Sequence, residues 1–228
     1  MWTLALACAF FLCIHLMISG TDLKERIIER IGGRWYFILF SVLSVAGLVA
    51  MCVAFAIAQD DRLNIVFWRA PLPLKIISLV VNFIAFFLVV LGLTTPSPTN
   101  LMALWRLPDK SVYGIIRISR HPVLAGIGLW SFMHMVSSGN IASWLFFGSL
   151  LGVCTLGAAN IDRKRLALMG DTYASVMRRT SIIPFVAIIE GRTAFAPEEL
   201  GIARMFLAAS MFSMFAVLHE MLFIVRAL

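Results

Sequence analysis

Charged residues are scarce in this 228-residue chain. Lys, Arg, Asp and Glu together make up 14% of the residues, hydrophobic residues make up 61%, and the mean hydropathy is +0.94. Soluble domains carry about a quarter charged residues and about half apolar ones. The composition therefore excludes a water-soluble fold and leaves almost no length for a soluble catalytic domain.

Long polar segments and domain linkers are also missing. A helix needs about 20 apolar residues to cross a hydrocarbon layer of ~30 Å, and six runs approach that length. They cover residues 2–19, 35–58, 73–94, 122–138, 141–159 and 203–225. We therefore predict an all-α, polytopic integral membrane helical bundle of about six transmembrane helices, forming a single membrane domain over residues 1–228.

Basic residues are distributed unevenly among the segments that join these runs. Of the 19 Lys and Arg residues, all but four follow the first, third or fifth run. The four exceptions are Arg62, Arg69, Lys75 and Arg226. Because cytoplasmic loops are enriched in Lys and Arg, this asymmetry predicts that both termini lie outside the cytoplasm. It also explains the net charge of +7, so we expect no nucleic-acid partner.

The four histidines are candidates for chemistry inside the membrane. His15 is in the first run, His121 opens the fourth, His134 lies deep in the fourth, and His219 is in the sixth. An ionisable side chain in hydrocarbon is costly without a partner, and a hydrogen bond to a neighbouring helix is the ordinary explanation. Two facing imidazoles could instead ligate a six-coordinate haem iron. Trp130, four residues before His134, would pack on a cofactor or on the next helix.

The stretch IIRISRHPVLAG (115–126) carries the most specific motif. Pro122, just inside the fourth run, predicts a helix N-terminus, which places Arg120 and His121 at the cytoplasmic membrane boundary beside free N–H groups. Two interpretations stay open. The pair binds an anion, such as a haem propionate, a lipid phosphate or a cofactor carboxylate, or it is an interfacial anchor in which Arg120 snorkels.

At these residues the sequence resembles the NnrU family, bacterial inner-membrane proteins encoded with denitrification functions and related to zeta-carotene isomerase. The motifs that carry the resemblance are HLMISG (15–20), RISRHPVLAGIGLWSFMHMVSSGN (117–140), DRKR (162–165), RRTSIIPF (178–185) and LHEMLF (218–223). The resemblance implies a multi-pass protein of the bacterial cytoplasmic (inner) membrane. It also implies a b-type haem held by histidines and, in the carotenoid branch, redox-gated cis–trans isomerisation of an apolar polyene.

Carried over to this chain, the resemblance implies His15 and His134 as haem ligands and His219 as a further candidate. Depth estimates leave the pair open. At 1.5 Å per residue, His15 lies ~6 Å to the cytoplasmic side of the middle of its run, whereas His134 and His219 each lie ~6 Å to the outer side. Helix tilts of ~20° blur such depths by several ångströms. His134 is common to both possible pairs.

A second resemblance is to the isoprenylcysteine and phospholipid methyltransferases, which bind S-adenosylmethionine at the cytoplasmic face. Arg120, His121 and Pro122 match their RHP motif, and the stretch 170–173 matches G-x-x-Y and ends in Tyr173. Asp162 stands where those enzymes use Glu. The resemblance implies a shared architecture with a changed or lost cofactor site.

These observations lead to a functional expectation that leaves open whether the protein is an enzyme. We expect a haem-binding protein that serves nitrite or nitric oxide metabolism in denitrification, with respiratory or denitrification membrane proteins as partners, or one that isomerises a polyene. The alternatives are an S-adenosylmethionine-dependent membrane methyltransferase and a cofactor-free membrane accessory factor.

Overall fold

The structure is a computed structural model that describes residues 1–95 and 112–223, except for the side chains of residues 220–223. Within these ranges no strand forms, and the regular structure is helical apart from an isolated β-bridge between Val66 and Asn140. The predicted fold class, an all-α membrane protein, is confirmed.

The longer helices coincide with the six apolar runs. They are α1 (Trp2–Leu12, continued by a π-helix at Cys13–Ile18), α3 (Gly33–Ala58), α4 (Leu72–Thr94), α6 (Pro122–Ser138), α7 (Ile141–Met169) and α10 (Ile202–Phe223). Shorter helices lie between them: α2 (Leu23–Ile31), α5 (Ile115–Ile118), α8 (Asp171–Arg179), α9 (Val186–Ile189) and a 3₁₀ turn at Pro197–Glu199.

Four described helices are long and apolar enough to cross a membrane, namely α3, α4, α7 and the part of α10 that ends at His219. A fifth span is formed if α1 and its π-helical continuation are counted together with α2, from which they are bent by 81°. Helix α6 has 17 residues. The count of six spans therefore stays a prediction.

Helix α7 continues ten residues beyond the predicted end of its apolar run. The extension carries Asp162 and the basic residues that follow it. Charged side chains past the hydrocarbon layer do not interrupt backbone hydrogen bonding, so the helix persists. It ends before Gly170, whose φ of +51° favours glycine.

The chain divides into two compact units. The first comprises Met1–Pro71 and Ser131–Gly157, and the second Leu72–Trp130 and Ala158–Leu228. In the first unit α1 packs on α3, and in the second α4 packs on α10. The single membrane domain predicted over residues 1–228 stays a prediction.

The core of the second unit brings α4, α5 and α10 together. Its buried residues are Leu88, Val90, Leu91, Ile115, Ile116, Ile118, Leu200 and Ala208. Because three of the four residues of α5 belong to this core, the chain is fixed immediately before Arg120 and His121.

Candidate functional site

The carboxylate of Asp162 is the centre of a buried polar cluster in the second unit. Its Oδ2 atom accepts hydrogen bonds from Nε and Nη2 of Arg120, at 2.9 and 2.6 Å. Its Oδ1 atom accepts hydrogen bonds from Nε2 of His121 at 2.7 Å and from the hydroxyl of Tyr173 at 2.6 Å. A carboxylate has about four lone-pair sites, and these four donors use them. Asp162 therefore acts as an acceptor hub in this structure and not as a free base.

The backbone before α6 positions Arg120 and His121 toward this hub. Ser119 is extended, and its hydroxyl donates to the carbonyl of Ile182 at 2.8 Å while accepting the His121 N–H at 3.2 Å. The N–H of Arg120 donates to the carbonyl of Ser181 at 2.9 Å. These bonds hold the segment against residues 181–182, and Pro122 then starts α6, as predicted.

Tyr173 brings a fourth segment, α8, into the cluster. Its side chain is fully buried, beside Val176 and Val112. Burial and the hydrogen bond to Asp162 raise the pKa of the Tyr173 phenol. Tyr173 is therefore held in its protonated form, as a hydrogen-bond donor.

A second ion pair fixes the start of α5. Arg117 donates to Glu199 through Nε at 2.7 Å and Nη2 at 2.9 Å, and the Gly114 N–H donates to the same carboxylate at 2.8 Å. The hydrogen bond to Glu199 raises the pKa of Arg117. This pair holds α5 against the turn at Pro197–Glu199. Because α5 directly precedes Arg120, His121 and Pro122, which we call the RHP segment, the pair also helps to fix the position of that segment.

His15 lies in the first unit, in the π-helix that continues α1. Its Nδ1 is 2.9 Å from the carbonyl oxygen of Phe11, and its ring centroid lies 4.1 Å from that of Phe11 and 5.4 Å from that of Phe40. A nitrogen facing a carbonyl must carry the proton, so Nε2 keeps its lone pair. π-helical insertions are frequent at functional sites.

His134 belongs to the same unit and packs against α7. Its ring centroid lies 4.9 Å from that of Phe147, which in turn contacts Phe146 and Phe55.

The other candidates, Trp130 and His219, belong to the second unit. Trp130 lies on α6, and His219 lies near the end of α10. The side chain of Glu220, next to His219, is outside the described residues.

Sequence reasoning identified Arg120 and His121 but missed their common partner. The sequence marks Asp162 and Tyr173 only as positions that match the methyltransferase motifs, and Asp162 lies beyond the apolar run at 141–159, so hydropathy does not predict that its carboxylate is buried with partners. The roles of Phe11 as a hydrogen-bond acceptor and of Glu199 as a partner had no comparable signal. Within the described ranges, no group of three or more His, Cys, Asp or Glu side chains is placed to hold a metal ion.

The anion predicted at Arg120 is represented in this structure by the chain's own Asp162. Whether a separate anion also binds there stays a prediction. The assignments of His15, His134, His219 and Trp130 as cofactor-binding residues also stay predictions.

Comparison with known proteins extends these observations. Residues 3–227 match the family described as NnrU protein. The chain is 29% identical over 194 residues to the chloroplastic 15-cis-zeta-carotene isomerase of Arabidopsis thaliana, covering 83% of this chain and 50% of that protein. It is 30% identical over 189 residues to the isomerase of the same name from Zea mays, covering 80% and 49%. The chain thus spans about half the length of these relatives.

No solved structure matches the chain significantly. The match to the family runs over nearly its whole length and includes the RHP segment, the histidines and the acceptor hub. The chain belongs to the NnrU family.

Proposed function

We propose that this protein is a haem-binding, isomerase-like protein of the bacterial cytoplasmic membrane, which holds a b-type haem through His15 and His134 and changes the cis–trans geometry of an apolar polyene. The proposal depends above all on one observation, the hydrogen bond between His15 Nδ1 and the Phe11 carbonyl. The name of the plant relatives supports the choice of reaction and substrate class.

The surroundings of His15 fit a haem ligand. Metal-binding histidines commonly donate their second ring N–H to a carbonyl or carboxylate, which fixes the tautomer and the ring orientation. The Phe11 carbonyl meets this requirement, and the rings of Phe11 and Phe40 provide apolar neighbours. When bound, a haem supplies one-electron redox chemistry that the side chains themselves lack.

The spacing of His15 and His134 can be estimated from their contacts with α7. Leu12, three residues before His15, lies beside Gly152, whereas His134 packs on Phe147. With α1 and α7 running in the same direction, as the predicted topology has them, the two histidines are offset by about eight residues of α7, or ~12 Å. Ligation of one iron by two imidazoles needs Cα atoms roughly 12–13 Å apart, with metal–nitrogen distances near 2 Å. The ~12 Å offset is measured along α7 and is a lower limit for the distance between the two Cα atoms, because their sideways separation adds to it.

The haem proposal is tested with purified protein in detergent. We expect a Soret band and a six-coordinate spectrum from the wild type, and loss of haem or of six-coordination in His15→Ala and His134→Ala. Met17→Ala is the matched control, because Met17 lies in the same π-helix with an exposed side chain. A wild-type spectrum in His134→Ala would refute the assignment. If His15→Ala alone keeps the wild-type spectrum and His219→Ala loses it, the pair becomes His134 with His219.

The isomerase proposal needs a separate measurement. The haem-loaded protein is incubated with 15-cis-zeta-carotene under oxidising and under reducing conditions, and the isomers are separated by chromatography. We expect conversion in one redox state only, and none with His134→Ala. If haem binds but no isomer forms in either redox state, the result supports the haem site and refutes the isomerase proposal.

A second candidate is a methyltransferase, and one observation favours it. Arg120, His121 and Tyr173, the residues that match the methyltransferase motifs, converge on Asp162. Calorimetric titration with S-adenosylmethionine separates the two candidates. Binding by a protein without a Soret band would replace the haem proposal with this one.

A further inference from the structure

The segment that connects α3 to α4 contains a patch of exposed apolar side chains that the proposed haem site does not use. We call residues 62–69, RLNIVFWR, the aromatic loop. Its six central residues carry no charge, and Arg62 and Arg69 flank them. Ile65, Val66 and Phe67 are 58%, 52% and 54% exposed. Connecting segments in water are ordinarily polar, so this composition requires an explanation.

The aromatic loop is pinned to the ends of two helices. The indole N–H of Trp68 donates to the carbonyl of Val136, in the last turn of α6, at 2.8 Å. The side-chain oxygen of Asn64 accepts the N–H of Ala142, in the first turn of α7, at 3.0 Å. Both bonds satisfy backbone groups that a helix end leaves without partners. The exposure of the apolar side chains is therefore a property of a fixed conformation.

Close packing at Gly139 strengthens this attachment. Gly139 has a φ of +60°, and a Cβ atom there would clash with the Trp68 carbonyl and lie 2.9 Å from two atoms of its ring. The Phe67 N–H donates to the Gly139 carbonyl at 2.7 Å. On the outside, the Trp144 ring lies 5.8 Å from the Trp68 ring and 6.0 Å from the Phe67 ring. The three rings form one aromatic cluster.

The location of the cluster indicates the environment of its exposed side chains. The loop follows the end of α3 at Ala58 and lies where α6 ends and α7 begins, so it is at the end of apolar, membrane-crossing helices. Val53 and Ile57, on the last turns of α3 before the loop, also have exposed apolar side chains. Trp and other amphipathic aromatic residues are enriched at the membrane–water boundary, and Arg side chains there extend to the headgroups.

We propose that the aromatic loop lies in the membrane interface, with Ile65, Val66 and Phe67 in contact with phospholipid acyl chains. Arg62 and Arg69 reach the phosphate groups. The loop thereby anchors the adjoining ends of α6 and α7 at a fixed depth in the bilayer.

Spin-label accessibility tests the proposal on the full chain in phosphatidylcholine liposomes. A nitroxide is attached to Val66→Cys in a background in which the exposed cysteines Cys13 and Cys52 are replaced by Ala. The matched control is Asp60→Cys, an exposed position two residues before the loop. Leu63→Cys is a second label site if Val66→Cys fails to fold, as judged by circular dichroism and gel filtration.

We expect the label at Val66 to collide more with apolar oxygen than with a water-soluble nickel chelate, and the label at Asp60 to show the reverse preference. Equal nickel accessibility at the two sites would place the loop in water and overturn the proposal. An immobilised label at Val66, shielded from both reagents, would indicate a protein partner or a second copy and would also overturn it.

Discussion

Arg120 binds Asp162 through two nitrogens that share a single carboxylate oxygen. Nε and Nη2 both approach Oδ2, at 2.9 and 2.6 Å, and the two side chains are 10% and 7% exposed. This one-sided contact leaves Oδ1 for His121 and Tyr173. A chain segment before α6, the end of α7 and helix α8 are therefore held by one carboxylate, which makes the cluster cooperative: removing the charge of Asp162 affects every donor at once.

Replacing Asp162 by Asn should destabilise the protein by about 3–5 kcal/mol, because it removes the charge with which the buried Arg120 guanidinium pairs. The measurement is the free energy of unfolding in mixed detergent micelles. Asp60→Asn, at an exposed position, is the control and should change stability by less than ~0.5 kcal/mol. Equal stability of the two variants would mean that the cluster contributes nothing to the fold.

The raised pKa of Tyr173 makes part of the stability depend on alkaline pH. A phenol whose folded pKa is above its ordinary value of 10.0 contributes stability that is fully present below pH 10 and is lost as the pH rises through the folded value. We expect the Tyr173 phenol to resist ionisation until the protein unfolds. Tyr36 is also buried, so the measurement is the number of phenols that ionise late in a pH titration followed by phenolate absorbance, and Tyr173→Phe should lower this number by one. An unchanged number in Tyr173→Phe would contradict the prediction.

Glu199→Gln should loosen the turn that carries it. The substitution removes the charge that Arg117 and the Gly114 N–H share, and hydrogen bonds to charged groups contribute about 1.5–3 kcal/mol. Hydrogen exchange of residues 193–200, read by mass spectrometry, should become faster. Glu198→Gln is the control, because Glu198 is its exposed neighbour. Equal exchange in the two variants would remove the support that this ion pair gives to the RHP segment.

Much of the fold was predictable because the length and composition of apolar runs identify membrane helices well. The run 122–138 coincides with α6, and the run 73–94 differs from α4 by one residue. The extension of α7 to Met169 was not predicted, because hydropathy marks where a run leaves the hydrocarbon and not where its backbone hydrogen bonds stop. The π-helix at Cys13–Ile18 was also not predicted, since its residues continue the same apolar run as the α-helix before it.

The candidate site was predictable only in part, because the sequence identifies ionisable residues that are costly to bury but does not identify their partners. Arg120 and His121 were identified as candidates. Their contact with Asp162, which follows about 40 residues later in the chain, depends on how α6 packs beside α7. The hydrogen bond from His15 to Phe11 is local, one helical turn apart. It still required the backbone conformation, because a side chain in a regular helix does not reveal which ring nitrogen faces a carbonyl.

The predicted topology stays a prediction, and two loop pairings bear on it. Within the first unit, the Phe67 N–H donates to the Gly139 carbonyl, so the segments after α3 and after α6 lie together. Within the second unit, the Arg120 N–H donates to the Ser181 carbonyl, so the segment before α6 lies with the segment after α8. In each unit, the paired segments are ones that the predicted topology places on the same side of the membrane.

Reporter fusions test which side is which. We expect a cytoplasmic signal from fusions after Gly32, Ser111 and Arg179 and an external signal from fusions after Asn64, Gly139 and Leu228. Ser111 and Leu228 lie outside the described residues, so the prediction at these sites depends on the charge asymmetry alone. A cytoplasmic signal after Gly139 would reverse the orientation and move the RHP segment to the outer side.

Gly126 on α6 lies where two helices approach each other closely. A Cβ atom at Gly126 would lie 2.6 Å from the backbone oxygen of Ala85 and 2.7 Å from a methyl group of Val89 on α4. Small residues allow such close approach between membrane helices, and the oxygen cannot move without displacing the helix. Gly126→Ala should therefore destabilise the protein by about 1–3 kcal/mol.

Gly157→Ala on α7 is the matched control, because nothing lies within 4 Å of its added Cβ atom. It should be neutral or stabilise by up to ~1 kcal/mol through helix propensity. Both variants are compared by unfolding in mixed micelles, and equal effects of the same sign would show that α6 and α4 are not in close contact at Gly126.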